Sequence, residues 1–88
     1  MVRGNVTVIN KAGLHARAAS KLVTLTSTFA SKIQVGHKKM VDGKSILSLM
    51  MLAAGQGTEL TIETSGSDEQ QALEATLALI EDGFGEPE

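Results

Sequence analysis

The chain has 88 residues and a formal net charge of −2, with two histidines, two phenylalanines and no cysteine, tryptophan or tyrosine. This length predicts one domain, residues 1–88, and the lack of cysteine excludes disulfides and thiolate chemistry. The composition disfavours nucleic acid and metal as partners, and the chain shows neither an apolar signal core nor a run long enough to span a bilayer. We therefore expect a cytoplasmic domain that needs no metal or cofactor.

The first half of the chain begins with a predicted strand from Val2 to Ile9, because every second residue is apolar or small: Val2, Gly4, Val6 and Val8. A turn-like connector, Asn10–Gly13, follows, and its glycine is free to take a positive φ. From Ala16 the period becomes helical, with one face formed by Ala19, Leu22, Val23 and Thr26. A cluster of β-branched threonines predicts that this helix ends near Ser27.

The middle of the chain predicts a hairpin and a short helix. The hairpin consists of a strand from Ser31 to Gly36, a tight turn, and a short edge arm, Lys39–Val41. Ser45 is a good N-cap for the helix, and Gly55 is its predicted C-cap. Six apolar side chains follow the N-cap: Ile46, Leu47, Leu49, Met50, Met51 and Leu52. So short a helix cannot bury all of them, and the exposed ones would form a docking patch. For Ile46, Leu47 and Met50 the choice between core and patch stays open.

The last part of the chain predicts a strand at Glu59–Thr64, a turn, and a capping box in Ser67–Gln70 that opens a third helix. The core stripe of this helix is Leu73, Thr76, Leu77 and Ile80. It ends near Gly83, and Gly85–Glu88 is predicted to be a frayed tail. The resulting order, β-α-β-β-α-β-α, favours an α+β fold in which helices cover one side of an antiparallel or mixed sheet.

The junction between the first strand and the first helix contains the candidate reactive residue. His15 is predicted to lie at or beside the N-cap, where free N–H groups and a partial positive charge attract anions. That positive end favours the neutral, nucleophilic ring, which could accept a phosphoryl group. The amides of Ala16 and Arg17 would then bind its oxygens, with the Arg17 guanidinium as a charged partner. The plainer alternative is that His15 is an incidental cap or surface residue without a chemical role. The other histidine, His37, is interpreted as a polar residue of the hairpin.

Two motifs resemble those of a known family. Gly13–Ala19, Gly-Leu-His-Ala-Arg-Ala-Ala, is similar to the active-site signature of HPr, the histidine-containing phosphocarrier of the bacterial phosphotransferase system. Gly43–Leu49, Gly-Lys-Ser-Ile-Leu-Ser-Leu, resembles the second signature of the family. Two motifs at the expected separation make the resemblance specific, and it extends over nearly the whole chain.

The resemblance implies a function and a fold. His15 would accept the phosphoryl group on Nδ1 from enzyme I, itself charged by phosphoenolpyruvate, and pass it to an EIIA domain. Arg17 would balance the phosphoryl charge. The protein would be a phosphocarrier rather than an autonomous enzyme. The fold would be an open-faced sandwich, a four-stranded antiparallel sheet with three helices on one face.

The second motif implies docking and regulation. The partner surface would include the apolar side chains of Ile46, Leu47 and Met50, and we assign Lys21 and Lys44 to it as well. Ser45 matches the serine that HPr kinase/phosphorylase modifies in some members of the family. A phosphate at this N-cap suits the helix but places negative charge on the docking face.

Two alternatives stay open alongside the carrier. One is a regulatory binding module of the same fold, from a nitrogen-related or carbon-regulation branch, that docks partners through an Ile46–Met51 patch. The other is a small structural domain in which His15 has no chemical role. Ala18 stands where many members of the family have proline, and alanine there is frequent in the nitrogen-related paralogue, so the branch also stays open. A carrier that visits several partners is expected to be a monomer.

Overall fold

Strands and helices follow one another in the predicted order. The structure, a computed structural model, describes residues 1–86. Its elements are β1 Val2–Thr7, α1 Ala16–Thr26, β2 Lys32–Gly36, β3 Met40–Asp42, α2 Ile46–Met50, β4 Glu59–Ser65 and α3 Glu69–Glu81, followed by a 3₁₀ turn, Gly83–Gly85. The predicted order is therefore confirmed. None of the helices in the described part is long and apolar enough to cross a bilayer.

The four strands form one antiparallel sheet in the order β1-β4-β2-β3. Ile62 of β4 pairs with Gly4 of β1 on one side and with Val35 of β2 on the other. This arrangement settles the choice between an antiparallel and a mixed sheet. The short β3 pairs only with β2 and lies at the edge, as predicted. The first strand ends at Thr7 rather than at Ile9, whose side chain is half exposed.

The two faces of the sheet differ in polarity. The inward face is fully or almost fully buried at Val6, Val8, Ile33, Val35, Leu60 and Ile62. Helix α3 packs across β1 and β4 on this face, and it lies so close to β1 that a Cβ at Gly4 would come within 2.9 Å of Leu77. The opposite face carries an ion pair between Arg3 and Glu63 at 2.5 Å. The helices therefore cover one face, and polar side chains occupy the other.

The predicted helical faces are confirmed, except that Val23 and Leu77 are only partly buried. Helix α1 buries Ala18, Ala19, Leu22 and Thr26, and α3 buries Ala72, Leu73, Thr76 and Ile80. The Thr26 hydroxyl donates to the Gly43 carbonyl at 2.8 Å, which ties the last turn of α1 to the turn before α2. The burial of these faces against the sheet provides the apolar stabilisation that such short helices need.

The predicted C-cap of α2 is wrong. The helix ends at Met50 with Met51 as C-cap, and Ala53 rather than Gly55 takes a positive φ, 52°. The early end lets the chain turn back, so that the Ala54 carbonyl accepts from the Leu14 amide at 2.8 Å. The segment after the helix is therefore held by a contact with the distant β1–α1 connection.

The predicted capping box at the start of α3 is also wrong. The N-cap is Asp68, and its side chain makes no capping hydrogen bond. Its carboxylate instead accepts from the amides of Ala30 and Ser31, both at 2.9 Å, and from the Ser31 hydroxyl. The Ser31 hydroxyl and the Ala30 amide hold the pKa of Asp68 below its ordinary value, against a smaller opposing effect of burial. Asp68 thus fastens the α1–β2 connection to the beginning of α3.

Candidate functional site

His15 is the N-cap residue of α1, as predicted. Its backbone is extended, with φ −80° and ψ −178°, and its carbonyl accepts from the Ala19 amide at 2.8 Å. The ring nitrogen Nδ1 accepts from the Arg17 amide at 3.1 Å. Since an accepting nitrogen carries a lone pair, the neutral ring has its proton on Nε2. The cap contact therefore leaves the lone pair of the neutral ring on Nδ1.

The connection before α1 fixes the position of this ring. Gly13 has the predicted positive φ, 66°, and a Cβ there would lie 2.4 Å from the Ala54 carbonyl oxygen. The next side chain, Leu14, is 4% exposed and anchors the connection in the core. The His15 side chain, in contrast, is 32% exposed. A tightly packed turn thus presents an accessible imidazole.

The first turn of α1 is suited to an anion. Ala16 and Arg17 are exposed, and this turn contains no acidic side chain. The main-chain amides and the dipole of the helix attract negative charge at this end. An anion bound to the His15 ring could therefore also contact the predicted pair of amides.

Glu86 is a further residue of the candidate site, and no local sequence pattern predicted it. Its Oε2 lies 2.7 Å from Nε2 of His15, and its Oε1 accepts from Nδ2 of Asn10 at 2.9 Å. The same Asn10 nitrogen donates to the Gly13 carbonyl at 2.9 Å, so the buried asparagine links the carboxylate to the turn. The two ring nitrogens of His15 thus have different partners, an amide donor on Nδ1 and a carboxylate on Nε2.

The prediction of a frayed tail is wrong for Gly85 and Glu86, whereas Pro87 and Glu88 lie outside the described residues. Three successive positive φ angles, 64°, 59° and 71° at Gly83, Phe84 and Gly85, turn the chain back towards α1. The Phe84 side chain is 1% exposed, and its carbonyl accepts from Nζ of Lys21 at 3.0 Å. A bulky aromatic residue between two glycines was the signal in the sequence that this segment packs.

The electrostatics of this contact favour a charged carboxylate. Burial acts to raise the pKa of Glu86, but hydrogen bonds from Asn10 and His15 act in the opposite direction, as do the charges of His15 and Lys21. These hydrogen bonds and charges prevail over burial, so the pKa of Glu86 lies below its ordinary value. Near neutral pH a negative charge therefore faces Nε2 of His15.

The apolar residues of α2 form an exposed patch, which answers the question left open between core and surface. The exposed fractions are 41% for Ile46, 70% for Leu47, 41% for Met50 and 69% for Met51, whereas Leu49 is fully buried. The four exposed residues are called the α2 patch below. Such a contiguous apolar surface is typical of a protein-binding site.

The remaining predicted site residues lie around these two features. The Ser45 hydroxyl caps α2 by accepting from the Ser48 amide at 3.2 Å, as predicted. Nζ of Lys44 donates to the Phe29 carbonyl at 2.7 Å, and Lys21 is similarly bound to Phe84. His37 is exposed in the connection between β2 and β3.

These features combine an accessible histidine at a helix N-terminus with an exposed apolar patch. A family model described as "PTS HPr component phosphorylation site" matches residues 2–82. The chain is 51% identical over 89 residues, covering 100% of both proteins, to phosphocarrier protein HPr from Cupriavidus necator. It is 40% identical over 83 residues, 92% of each protein, to phosphocarrier protein NPr from Proteus mirabilis. The crystal structure of HPr-C-His from Thermoanaerobacter tengcongensis matches with a TM-score of 0.95 and 39% identity over 100% of both chains. The chain belongs to the HPr family of phosphocarrier proteins.

Proposed function

We propose that this protein accepts a phosphoryl group on Nδ1 of His15 from phosphorylated enzyme I and passes it to an EIIA-type acceptor. The observation that carries this proposal is the 3.1 Å hydrogen bond from the Arg17 amide to Nδ1. That bond keeps the lone pair of Nδ1 at the open end of α1, where anions bind favourably. The protein acts as one member of a relay and not as an enzyme with a substrate of its own.

Transfer of the phosphoryl group to His15 makes one bond and breaks another. The Nδ1 lone pair forms a bond to phosphorus while the bond between phosphorus and the donor breaks, and the donor keeps that electron pair. The Arg17 amide, which bonds Nδ1 in the unphosphorylated protein, is then free to donate to a phosphoryl oxygen, together with the Ala16 amide. The Arg17 guanidinium supplies charge, because phosphoryl transfer depends on positioning and electrostatic stabilisation. The group leaves by the reverse exchange.

The α2 patch is the proposed docking surface for enzyme I and EIIA. Its exposed apolar side chains would be buried by a partner, and Lys21 and Lys44 would attract acidic groups around it. In the free protein both lysine ammonium groups bind main-chain carbonyls. Each ammonium has further N–H donors, so docking through lysines would add carboxylates of the partner to these contacts.

Ser45 is the proposed regulatory site, the target of an HPr kinase/phosphorylase. Its hydroxyl caps α2, directly before the exposed Ile46 and Leu47. A phosphate there retains acceptors for the first turn, but it adds negative charge beside the α2 patch. Association with acidic partners would weaken as a result.

The test is the intact mass of the protein after incubation with enzyme I and phosphoenolpyruvate. We expect one added phosphoryl group that is acid-labile, present in the wild type and absent from His15→Ala. His37→Ala is the matched control, because it removes the other histidine, an exposed one, and should still be phosphorylated. No added mass on the wild type, with enzyme I shown to be active on another carrier, would refute the proposal.

A second candidate function is a regulatory binding module of the same family, acting through the α2 patch. The exposure of Leu47 and Met51, 70% and 69%, favours docking whether or not His15 is phosphorylated. The similarity to a protein named NPr also leaves the branch of the family undecided. Partner binding that is unchanged in His15→Ala would favour this function.

A further inference from the structure

Glu86 contacts the candidate phosphoryl acceptor at Nε2, the ring nitrogen that does not face the Arg17 amide. Its Oε2 lies 2.7 Å from Nε2 of His15, whereas Nδ1 faces the Arg17 amide. The Glu86 side chain is 14% exposed, less than the 32% of His15. A carboxylate at this distance from an imidazole N–H forms a charge-assisted hydrogen bond, which is stronger than a neutral one.

Three contacts hold Glu86 in place before any partner binds. The buried Phe84 ring anchors the preceding turn, and Nζ of Lys21 holds the Phe84 carbonyl at 3.0 Å. Nδ2 of Asn10 donates to Oε1 of Glu86 at 2.9 Å, which leaves Oε2 for His15. Because these anchors come from the core, α1 and the β1–α1 connection, the carboxylate is positioned in advance.

We infer that Glu86 is a positioning residue for phosphoryl transfer at His15, which keeps the proton on Nε2 and balances the positive charge that develops on the ring. This inference rests on the proposed function, since it concerns the same reaction. When Nδ1 forms its bond to phosphorus, the ring gains a positive charge while the Nε2 proton stays in place. The Glu86 carboxylate stabilises that charge, as the aspartate of a Ser-His-Asp triad stabilises its imidazolium.

The same contact also prepares the outgoing transfer. A phosphohistidine that keeps its Nε2 proton returns a neutral imidazole when the N–P bond breaks, so the ring is a better leaving group. Among the described residues, the Lys21 ammonium of α1 also acts on the Glu86 carboxylate, and Asn10 adds a neutral donor to it. In this account Arg17 acts on the phosphoryl oxygens at Nδ1, and Glu86 acts on the ring through Nε2 with the opposite charge.

The experiment compares the wild type with Glu86→Gln, which removes the charge and keeps the size of the side chain. Glu81→Gln is the matched control, because it removes an exposed carboxylate at the end of α3. We expect enzyme I to phosphorylate Glu86→Gln about tenfold more slowly, the effect of losing one charge-assisted hydrogen bond, and to phosphorylate the control normally. The phosphorylated Glu86→Gln protein should also begin rapid hydrolysis at a lower pH, because its Nε2 proton is held less firmly.

NMR of the unphosphorylated proteins separates this inference from the proposed function. In the wild type we expect a downfield, slowly exchanging Nε2 proton on His15, and in Glu86→Gln that proton should move upfield and exchange faster. Equal phosphorylation rates and equal hydrolysis profiles in the wild type and Glu86→Gln would overturn the role of Glu86 while leaving the carrier function intact. A wild type that takes up no phosphoryl group, although its Nε2 proton behaves as expected, would overturn the proposed function and the role of Glu86 with it.

Discussion

The amide of Leu14 donates to the carbonyl of Ala54 at 2.8 Å, which joins the residue before the candidate phosphoryl acceptor to the connection after α2. Gly13 lies beside this bond, with a φ of 66° and no space for a side chain. The position of His15 thus depends on a contact between segments that are about forty residues apart in the sequence.

Replacement of Gly13 by alanine should destabilise the fold and displace the site. A left-handed φ costs a residue with a Cβ about 1–2 kcal/mol, and the added methyl group would overlap the Ala54 oxygen, which typically costs a further 1–3 kcal/mol. We therefore expect a loss of about 2–5 kcal/mol in the free energy of unfolding, measured by urea denaturation. Phosphorylation by enzyme I should also slow in this variant, because the ring moves relative to the amides.

Alanine variants of two other glycines distinguish the cost of backbone strain from the cost of steric overlap. Gly57 has a φ of 90° and open space around its Cβ position, so Gly57→Ala should show the cost of the backbone conformation alone. Gly55 has the same open space without a positive φ, so Gly55→Ala should change stability little. A Gly13→Ala variant that is no less stable than Gly57→Ala would show that the connection shifts to accept a side chain.

The α2 helix offers a pair of leucines that distinguishes binding from folding. Leu47 is 70% exposed, so Leu47→Ala should change the free energy of unfolding by less than about 0.5 kcal/mol. Leu49 is fully buried, so Leu49→Ala should cost about 2–5 kcal/mol. If the α2 patch docks enzyme I, Leu47→Ala should raise the KM for phosphorylation by about tenfold at an unchanged fold. An unchanged KM would place the docking surface elsewhere.

Local patterns in the sequence were sufficient for most of the fold. The period-two pattern of β1, the helical face of α1 around Leu22 and the stripe of α3 all follow from which side chains a neighbouring layer buries. The capping roles of His15 and Ser45 were also predictable, because a cap is recognised from its position beside a helical pattern. These features can be predicted without knowing which distant segments of the chain come into contact.

Contacts between distant segments account for what the sequence did not predict. Glu86 is 71 residues from His15, and nothing local to either residue indicates that they meet. Asp68 was predicted to be part of a local capping box, Ser67–Gln70, but its carboxylate binds amides 37 and 38 residues away. The segment that follows the early end of α2 is bound at Ala54 by the distant Leu14 amide. In each case a hydrogen bond formed by the tertiary structure prevailed over a local preference.

Asp68 predicts a pH dependence of stability. Its hydrogen bonds from Ser31 and Ala30 lower its pKa in the folded state, so the folded protein binds this proton more weakly than the unfolded chain does. The stabilisation is fully present above the unfolded pKa, about 3.9, and is lost as the pH falls through the lower folded value. Asp68→Asn should therefore be less stable than the wild type near neutral pH, with a difference that shrinks in acid. Urea denaturation at about pH 7 and about pH 3 measures both free energies, and an equal gap at the two values would contradict this account.

Ser45→Asp tests whether charge at the N-cap of α2 controls docking. Aspartate caps a helix about as well as serine, so the free energy of unfolding should change by less than about 0.5 kcal/mol. The new charge lies beside the α2 patch, and we expect it to lower the rate of His15 phosphorylation by enzyme I about tenfold, because an acidic partner is repelled. Ser67→Asp is the control, since it adds the same charge at an exposed residue after β4. This residue lies at the end of the sheet where β1 begins, whereas the β1–α1 connection leaves from the other end. If Ser45→Asp reacts as fast as Ser67→Asp, a phosphate on Ser45 could not regulate the carrier through its charge.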